Sequence, residues 1–131
     1  DRESIAGLRV YKDSSIHRAG SQEKRWQAMV KLVKEARTDA IVFAARNDAV
    51  HLKLMADYLE ELLQKDVDKL SSVRELRDQM LDFALELGRS ESEFQRLASL
   101  HSSSPEVADS LVRIALASKE AELRIRRALQ A

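Results

Sequence analysis

The chain has no cysteine among its 131 residues. This absence excludes a disulfide framework, a thiolate nucleophile and a cysteine-ligated zinc site. The chain also lacks a run of about eighteen apolar residues and the charged, apolar and small-residue order of a signal peptide. These features together favour an intracellular, cytoplasmic protein. Because the chain begins with Asp1 rather than methionine, we expect a fragment or a processed product.

Glycine and proline are scarce, with three glycines and one proline in the chain. A sheet protein would need glycine-rich turns at short intervals. The residues from Ser21 onward are mostly types that lose little side-chain freedom in a helix. We therefore predict one all-α domain, a bundle of three to four long antiparallel amphipathic helices. Its long apolar stripes would also suit an elongated, coiled-coil-like arrangement.

Residues 1–20 give no sustained apolar period, so we interpret them as an N-terminal arm with at most a short helix. Residues 21–131 form the helical domain. Its predicted helices lie at about 21–46, 48–87, 90–101 and 105–130.

The stop signals in the helical domain differ in strength. No glycine or proline forces a break at Asn47 or Ser71, so a continuous helix and a turn remain alternatives at both. Gly88 predicts a helix end, because glycine adopts the left-handed conformation cheaply, and residues 90–93 fit a new capping box. Ser104 and Pro105 predict the start of the last helix.

The net charge is zero, but the charges are unevenly distributed. Residues 1–53 carry eleven basic and seven acidic side chains, whereas residues 54–100 carry six and eleven. Residues 101–131 carry five basic and four acidic side chains. This distribution predicts that a basic helix packs beside an acidic one.

The candidate catalytic and metal-binding residues do not form a recognisable set. His17, His51 and His101 lie in different predicted elements, and the repeated Glu-x-x-His pattern of a di-metal bundle is absent. Neighbouring carboxylates occur at one- or two-residue spacings, which do not face one another on a helix. Glycine-rich phosphate-binding motifs are missing as well. We therefore predict a non-enzymatic protein without a metal site, a cofactor or a small-molecule substrate.

Basic residues on the first and last predicted helices could contact anionic phosphates of lipid or nucleic acid. This candidate set comprises Lys24, Arg25, Lys31, Lys34, Arg124, Arg126 and Arg127. Single-strand recognition would normally add exposed aromatic rings for stacking. The chain has six aromatic residues, of which Trp26, Phe43, Tyr58, Phe83 and Phe94 lie on apolar stripes and are expected in the core.

Residues 94–131, FQRLASLHSSSPEVADSLVRIALASKEAELRIRRALQA, contain an aromatic residue, a leucine pair, a serine-rich interruption and a long amphipathic helix. This stretch resembles the junction of the first and second helices in sorting-nexin-type BAR domains. The resemblance implies a dimer that senses membrane curvature through a continuous basic concave face. It supports the alternative of a peripheral membrane-binding protein.

The apolar stripes themselves are the main indication of function. A few helices of unequal length rarely bury such long stripes completely, although a self-contained monomer remains an alternative. We therefore predict a non-catalytic interaction or scaffold module that associates with itself or docks on another helical protein. Binding to an anionic membrane or to nucleic acid through the basic residues is the second hypothesis.

Overall fold

The computed structural model describes residues 5–71 and 74–130, and all of the regular elements in this part of the chain are helical. The five helices are α1 (Ile5–Arg18), α2 (Gln22–Ala45), α3 (Ala49–Glu61, continued by Leu62–Asp66 and Val67–Leu70), α4 (Arg77–Leu100) and α5 (Pro105–Gln130). The all-α prediction is confirmed. The helix count is higher than the expected three to four, because the predicted arm contains the 14-residue helix α1.

Consecutive long helices form two antiparallel hairpins. The turn at residues 46–48 joins α2 to α3, and the turn at residues 101–104 joins α4 to α5. The Arg77 guanidinium, at the start of α4, donates to the carbonyl of Leu129 at the end of α5, at 2.8 Å. This contact fixes the antiparallel direction of the α4–α5 hairpin.

The two hairpins pack side by side, so that α2 lies next to α4 and α3 lies next to α5. Trp26 of α2 contacts Phe83 of α4, and Lys34, further along α2, lies near Glu86, further along α4. The two helices therefore run parallel. Arg113 and Arg124 of α5 contact successive parts of α3 in the same order, so α3 and α5 are also parallel neighbours.

The helices surround one apolar core, whose largest fully buried side chains include Trp26, Phe83 and Phe94. Tyr58 is also buried, as predicted, whereas Phe43 is half-buried and stacks on His51 with ring centroids 5.1 Å apart. Helix α1 covers α2 and α3 by burying Leu8 against this core. No helix in the described part of the chain is long and apolar enough to cross a membrane.

The chain turns at Asn47 rather than continuing as one helix. Its φ of 55° lies in the left-handed region, which asparagine tolerates better than most residues. Asp48 then caps α3, because its carboxylate accepts from the His51 backbone N–H at 3.2 Å. The hydrogen bond between the Asp48 carboxylate and His51 Nδ1, 2.7 Å long, completes this cap.

The predicted helix at 48–87 is interrupted near its middle. A single π-helical turn, Leu62–Asp66, widens α3, and both Leu62 and Leu63 stay buried through it. The helix ends at Leu70, a short 3-10 turn covers Arg74–Leu76, and α4 begins at Arg77. Ser72, at the start of the predicted capping box, lies outside the described residues. The interruptions at 46–48 and after Leu70 exclude a single rod across residues 21–87.

The predicted helix end at Gly88 is wrong, and so is the predicted helix start at residues 90–93. Helix α4 runs unbroken from Arg77 to Leu100, and Ser90 is buried within it. A Cβ at residue 88 would lie 3.2 Å from the Glu122 carboxylate of α5. The glycine therefore serves the close approach of two helices rather than a turn.

The other predicted helix starts are confirmed. Ser21 caps α2, since its hydroxyl accepts from the Lys24 backbone N–H at 3.1 Å. Helix α5 begins at Pro105, where proline costs nothing because the first helical N–H has no intrahelical acceptor.

Candidate functional site

A groove follows the outer boundary between α2 and α4. It consists of two cavities of about 450 and 440 Å³, which share Lys34 and Glu86. The α2–α4 groove is lined by Trp26, Gln27, Val30, Lys31, Lys34, Arg37, Thr38, Ile41, Gln79, Asp82, Phe83, Glu86, Arg89 and Glu93. From Trp26 to Ile41 it spans about 22 Å, or four helical turns.

The floor of the α2–α4 groove is apolar. Trp26 and Phe83 meet edge to face, with ring centroids 5.7 Å apart and an interplanar angle of 86°. Val30 and Ile41 are only partly buried and continue the floor along α2. The backbones of α2 and α4 do not approach as closely as those of α4 and α5, which leaves room for this pair of rings.

The two walls of the groove carry opposite charges. Lys31, Lys34 and Arg37 lie on the α2 wall, and Asp82 and Glu86 lie on the α4 wall. The α4 wall continues with Glu93, although Arg89 interrupts its acidic row. The basic part of the chain therefore packs beside the acidic part, as the charge distribution predicts.

One ion pair bridges the two walls at the middle of the groove. Lys34 Nζ lies 3.4 Å from Glu86 Oε1, and the lysine side chain is 54% exposed. Exposed pairs of this kind contribute about 0–1 kcal/mol, because water and mobile side chains weaken them. A ligand that offers a replacement charge to each residue can therefore open the pair at little cost.

Two residues that line the groove carry a buried polar atom without a hydrogen-bond partner. Arg37 Nε and Glu86 Oε2 find no partner in the described part of the chain. Unsatisfied buried polar atoms cost free energy and are few in folded proteins. Arg37 and Glu86 therefore each keep one unsatisfied side-chain atom beside the groove in the free chain.

The predicted basic residues do not form one surface. Lys31 and Lys34 line the α2–α4 groove, whereas Arg25, half-buried, lines a different cavity. Arg124 faces α3, where it donates to Asp68 at 2.8 Å and to the Leu63 carbonyl.

The remaining cations are divided between paired and unpaired groups. Arg126 donates to Glu122 at 3.1 Å on its own helix. For Lys24, Lys31 and Arg127 the structure shows no ion pair within residues 5–71 and 74–130. Three of the seven predicted cations, Lys34, Arg124 and Arg126, are thus already neutralised by acidic neighbours.

The acidic wall was missed in the sequence analysis, which singled out only cations. Asp82, Glu86 and Glu93 are spaced by four and seven residues and therefore share one helix face. This spacing, together with the acidic excess of residues 54–100, was the available signal. It does not reveal which helix faces that row, because the neighbour depends on the topology.

A third cavity, of about 460 Å³, lies where α1 meets the start of α2 and the end of α3. It is lined by Asp13, Ile16, His17, Gln22, Arg25, Asp66 and Lys69. Its carboxylates are engaged by Lys12, whose Nζ lies 2.6 Å from Asp13 and 2.9 Å from Asp66. Arg9 adds an ion pair with Glu61. This cluster joins α1 to α3 and serves an evident structural role.

Burial and pairing act in opposite directions on the central groups of this cluster. Burial disfavours the Lys12 ammonium, but hydrogen bonds and charge interactions with Asp13 and Asp66 outweigh it, so the pKa of Lys12 is raised. Burial also raises the pKa of Asp66, although the Lys12 ammonium partly offsets this effect. Lys12 therefore remains protonated at neutral pH.

A second charged cluster connects α3 to α5. Arg113 donates from Nε and Nη2 to the two oxygens of Glu60, at 3.1 and 2.6 Å, and Nη2 also contacts Asp57 at 2.5 Å. The hydrogen bonds to Glu60, followed by those to Asp57, raise the pKa of the guanidinium. This bidentate arrangement is specific to arginine and fixes the register of two parallel helices.

No group of three or more histidine, aspartate or glutamate side chains in the described residues could hold a metal ion. Comparisons of the chain with protein-family models, curated proteins and solved structures give no match. The α2–α4 groove is therefore the feature from which a function is best argued.

Proposed function

We propose that the chain is a non-catalytic interaction module that docks a helical protein in the α2–α4 groove. The observation that carries this proposal is a groove four helical turns long, with an apolar floor and charged walls on a folded helical scaffold. An amphipathic helix binds such a groove through its apolar stripe. The partly exposed Val30 and Ile41 offer the anchor points that such a stripe requires.

The outer face of the α4–α5 hairpin supports self-association as one form of this interaction function. Leu81 and Leu85 of α4, and Leu116 and Leu123 of α5, are all more than 40% exposed. Clusters of exposed apolar side chains mark association surfaces in soluble proteins. Several copies could associate through this face into a coiled-coil-like scaffold. The α2–α4 groove of each copy would then remain free for a partner.

A photo-crosslinking amino acid at Gln27 tests docking in the groove. Gln27 is exposed and lines the groove, whereas Gln95 is exposed on α4 outside it and provides the matched control position. In an extract of the cells that make the chain, we expect a helical protein to be labelled from Gln27 only. The labelled protein must then bind the unmodified chain when both are purified. Equal labelling from both positions would contradict the proposal.

Binding to an anionic surface is the second candidate function, and the unpaired cations Lys24, Lys31 and Arg127 favour it. Salt-sensitive binding to anionic vesicles or oligonucleotides, lost when Lys24, Arg25, Lys31 and Lys34 are neutralised, would support it. A mass that rises with protein concentration, without such binding, would support the interaction module. The acidic wall beside Lys31 and Lys34 weighs against a polyanion, since it would repel phosphates there.

A further inference from the structure

The charge pattern of the α2–α4 groove specifies the helix that fits it. We infer that the occupant is one amphipathic helix of a partner protein, with acidic residues along one flank and basic residues along the other, running antiparallel to α2 and α4. This inference rests on the proposed docking function. It adds the chemistry and the direction of the bound helix.

The length and the floor of the groove set the size and the apolar pattern of the occupant. About four helical turns separate Trp26 from Ile41, so a segment of about fifteen residues fills the groove. The partly exposed Val30 and Ile41 lie eleven positions apart on α2, a separation that fits an apolar stripe repeating every three or four residues. Such a segment is one amphipathic helix rather than a strand or a loop.

The direction of the occupant follows from the directions of its two neighbours. Helices α2 and α4 are parallel, so their macrodipoles are aligned and their negative ends lie at the same end of the groove. An antiparallel occupant places its positive end beside these two negative ends. A parallel occupant would align a third dipole with the first two.

Direction and wall charge together determine the flanking residues. In a heptad with apolar residues at a and d, the e and g positions flank the stripe on opposite sides. For an antiparallel occupant, the right-handed winding of the helices turns e toward α2 and g toward α4. Acidic residues at e then face Lys31, Lys34 and Arg37. Basic residues at g face a wall on which three carboxylates outnumber one cation, Arg89. Lys34 and Glu86 exchange their mutual ion pair for pairs with the occupant.

The exposed apolar row of α5 in a second copy of this chain does not match this pattern. The outer row of α5, with Leu116 and Leu123, has Glu120 and Arg127 on the same side, so that flank carries both signs. The walls call for flanks of opposite predominant sign, because the α2 wall is basic and the α4 wall is acidic except at Arg89. The occupant is therefore a segment of a different protein.

Two synthetic peptides of about three heptads, with identical composition, test the inference. The first has Glu at every e position and Lys at every g position, and the second has these exchanged. A third peptide has Gln at both. Fluorescence anisotropy of dye-labelled peptide, titrated with the full chain, measures each affinity. We expect the first peptide to bind roughly tenfold more tightly than the second, because several exposed ion pairs each contribute little.

A protein with reversed walls is the complementary experiment. Lys31→Glu, Lys34→Glu, Asp82→Lys and Glu86→Lys together should reverse the preference, so that the second peptide binds more tightly. The matched control reverses four exposed residues outside the groove, as Lys53→Glu, Asp109→Lys, Glu120→Lys and Arg127→Glu, and should keep the original preference. Circular dichroism establishes that both variants fold.

The possible failures have different meanings. Equal binding of all three peptides to the unaltered chain would overturn the charge rule and leave helix docking in place. Tighter binding of the second peptide to the unaltered chain would overturn the antiparallel direction. If none of the peptides binds, the docking function itself is contradicted.

Discussion

The carboxylate of Glu122 occupies the space that a side chain at Gly88 would need, with its Oε2 only 3.2 Å from an ideal Cβ at residue 88. Glu122 is itself almost completely buried. Lys119 and Arg126 hold its two oxygens at 3.4 and 3.1 Å. The contact between α4 and α5 therefore pairs Gly88, which has no side chain, with the Glu122 carboxylate, which its two cationic neighbours hold in place.

Replacement of Gly88 by alanine tests this relationship. Alanine in a helix interior is favoured over glycine by about 1 kcal/mol. In Gly88→Ala we expect a smaller gain, below about 0.5 kcal/mol, because the carboxylate must shift by a few tenths of an ångström. In a Glu122→Ala background the full gain should appear. Urea denaturation of the four proteins measures the coupling, and a loss of stability in both backgrounds would show that a neighbour other than the Glu122 carboxylate limits the space at residue 88.

Substitutions at Asn47 test the turn between α2 and α3. Because its φ is 55°, a β-branched residue should be strained there, and we expect Asn47→Val to lower the free energy of unfolding by about 1–2 kcal/mol. Asn47→Gly should be nearly neutral, since relief of strain offsets the greater freedom of the unfolded chain. Thermal and urea denaturation distinguish the two variants. Equal destabilisation by both would mean that the asparagine side chain, not its backbone, supports the turn.

Substitutions at Arg113 test the register of the two parallel helices. Lysine keeps the charge but cannot bind both Glu60 oxygens and Asp57 in one plane. The Arg113 side chain is about one-third exposed, so we expect Arg113→Lys to cost only about 1 kcal/mol. Arg113→Met tests the charge separately. If both variants were as stable as the original chain in low-salt urea denaturation, this cluster would contribute nothing to the α3–α5 contact.

Features encoded by neighbouring residues could be predicted from the sequence, and features that depend on packing could not. The Ser21 cap and the Pro105 start depend on backbone N–H groups within one turn, so their residues identify them. Gly88 gave the opposite result, because its reason is the Glu122 carboxylate, thirty-four positions away in the sequence. A glycine in a sequence is equally compatible with the end of a helix and with a close contact between two helices.

The candidate groove shows the same division. The basic row of α2 and the opposing charge excess of residues 54–100 were readable from the sequence. The parallel alignment of α2 with α4 was not, because it depends on the α3–α4 connection bringing two hairpins side by side. The π-turn at Leu62–Asp66 was equally unpredictable, since it forms where Leu62 and Leu63 both reach the core.

Lys12 provides a pH-dependent test of how α1 is held on the bundle. Its side chain is 3% exposed, and the raised pKa means that its ammonium binds its proton more tightly in the folded than in the unfolded chain. Its stabilising contribution is therefore complete below its ordinary pKa of 10.5 and is lost as the pH rises through the folded value. Lys12→Met removes the contribution at every pH and leaves the half-buried Asp66 without a cation, at a cost of about 2 kcal/mol near neutral pH.

The difference in unfolding free energy between the original chain and Lys12→Met should be constant from about pH 7 to 9 and should decrease above about pH 10.5. Subtracting the two curves removes the titration of the other lysines and tyrosines, which both proteins share. Asp66→Asn added to Lys12→Met should recover part of the loss at neutral pH, because an amide is cheaper to bury than an unpaired carboxylate. A difference that stays constant to pH 11.5, or a double variant no more stable than Lys12→Met, would show that the Lys12–Asp66 pair does not anchor α1.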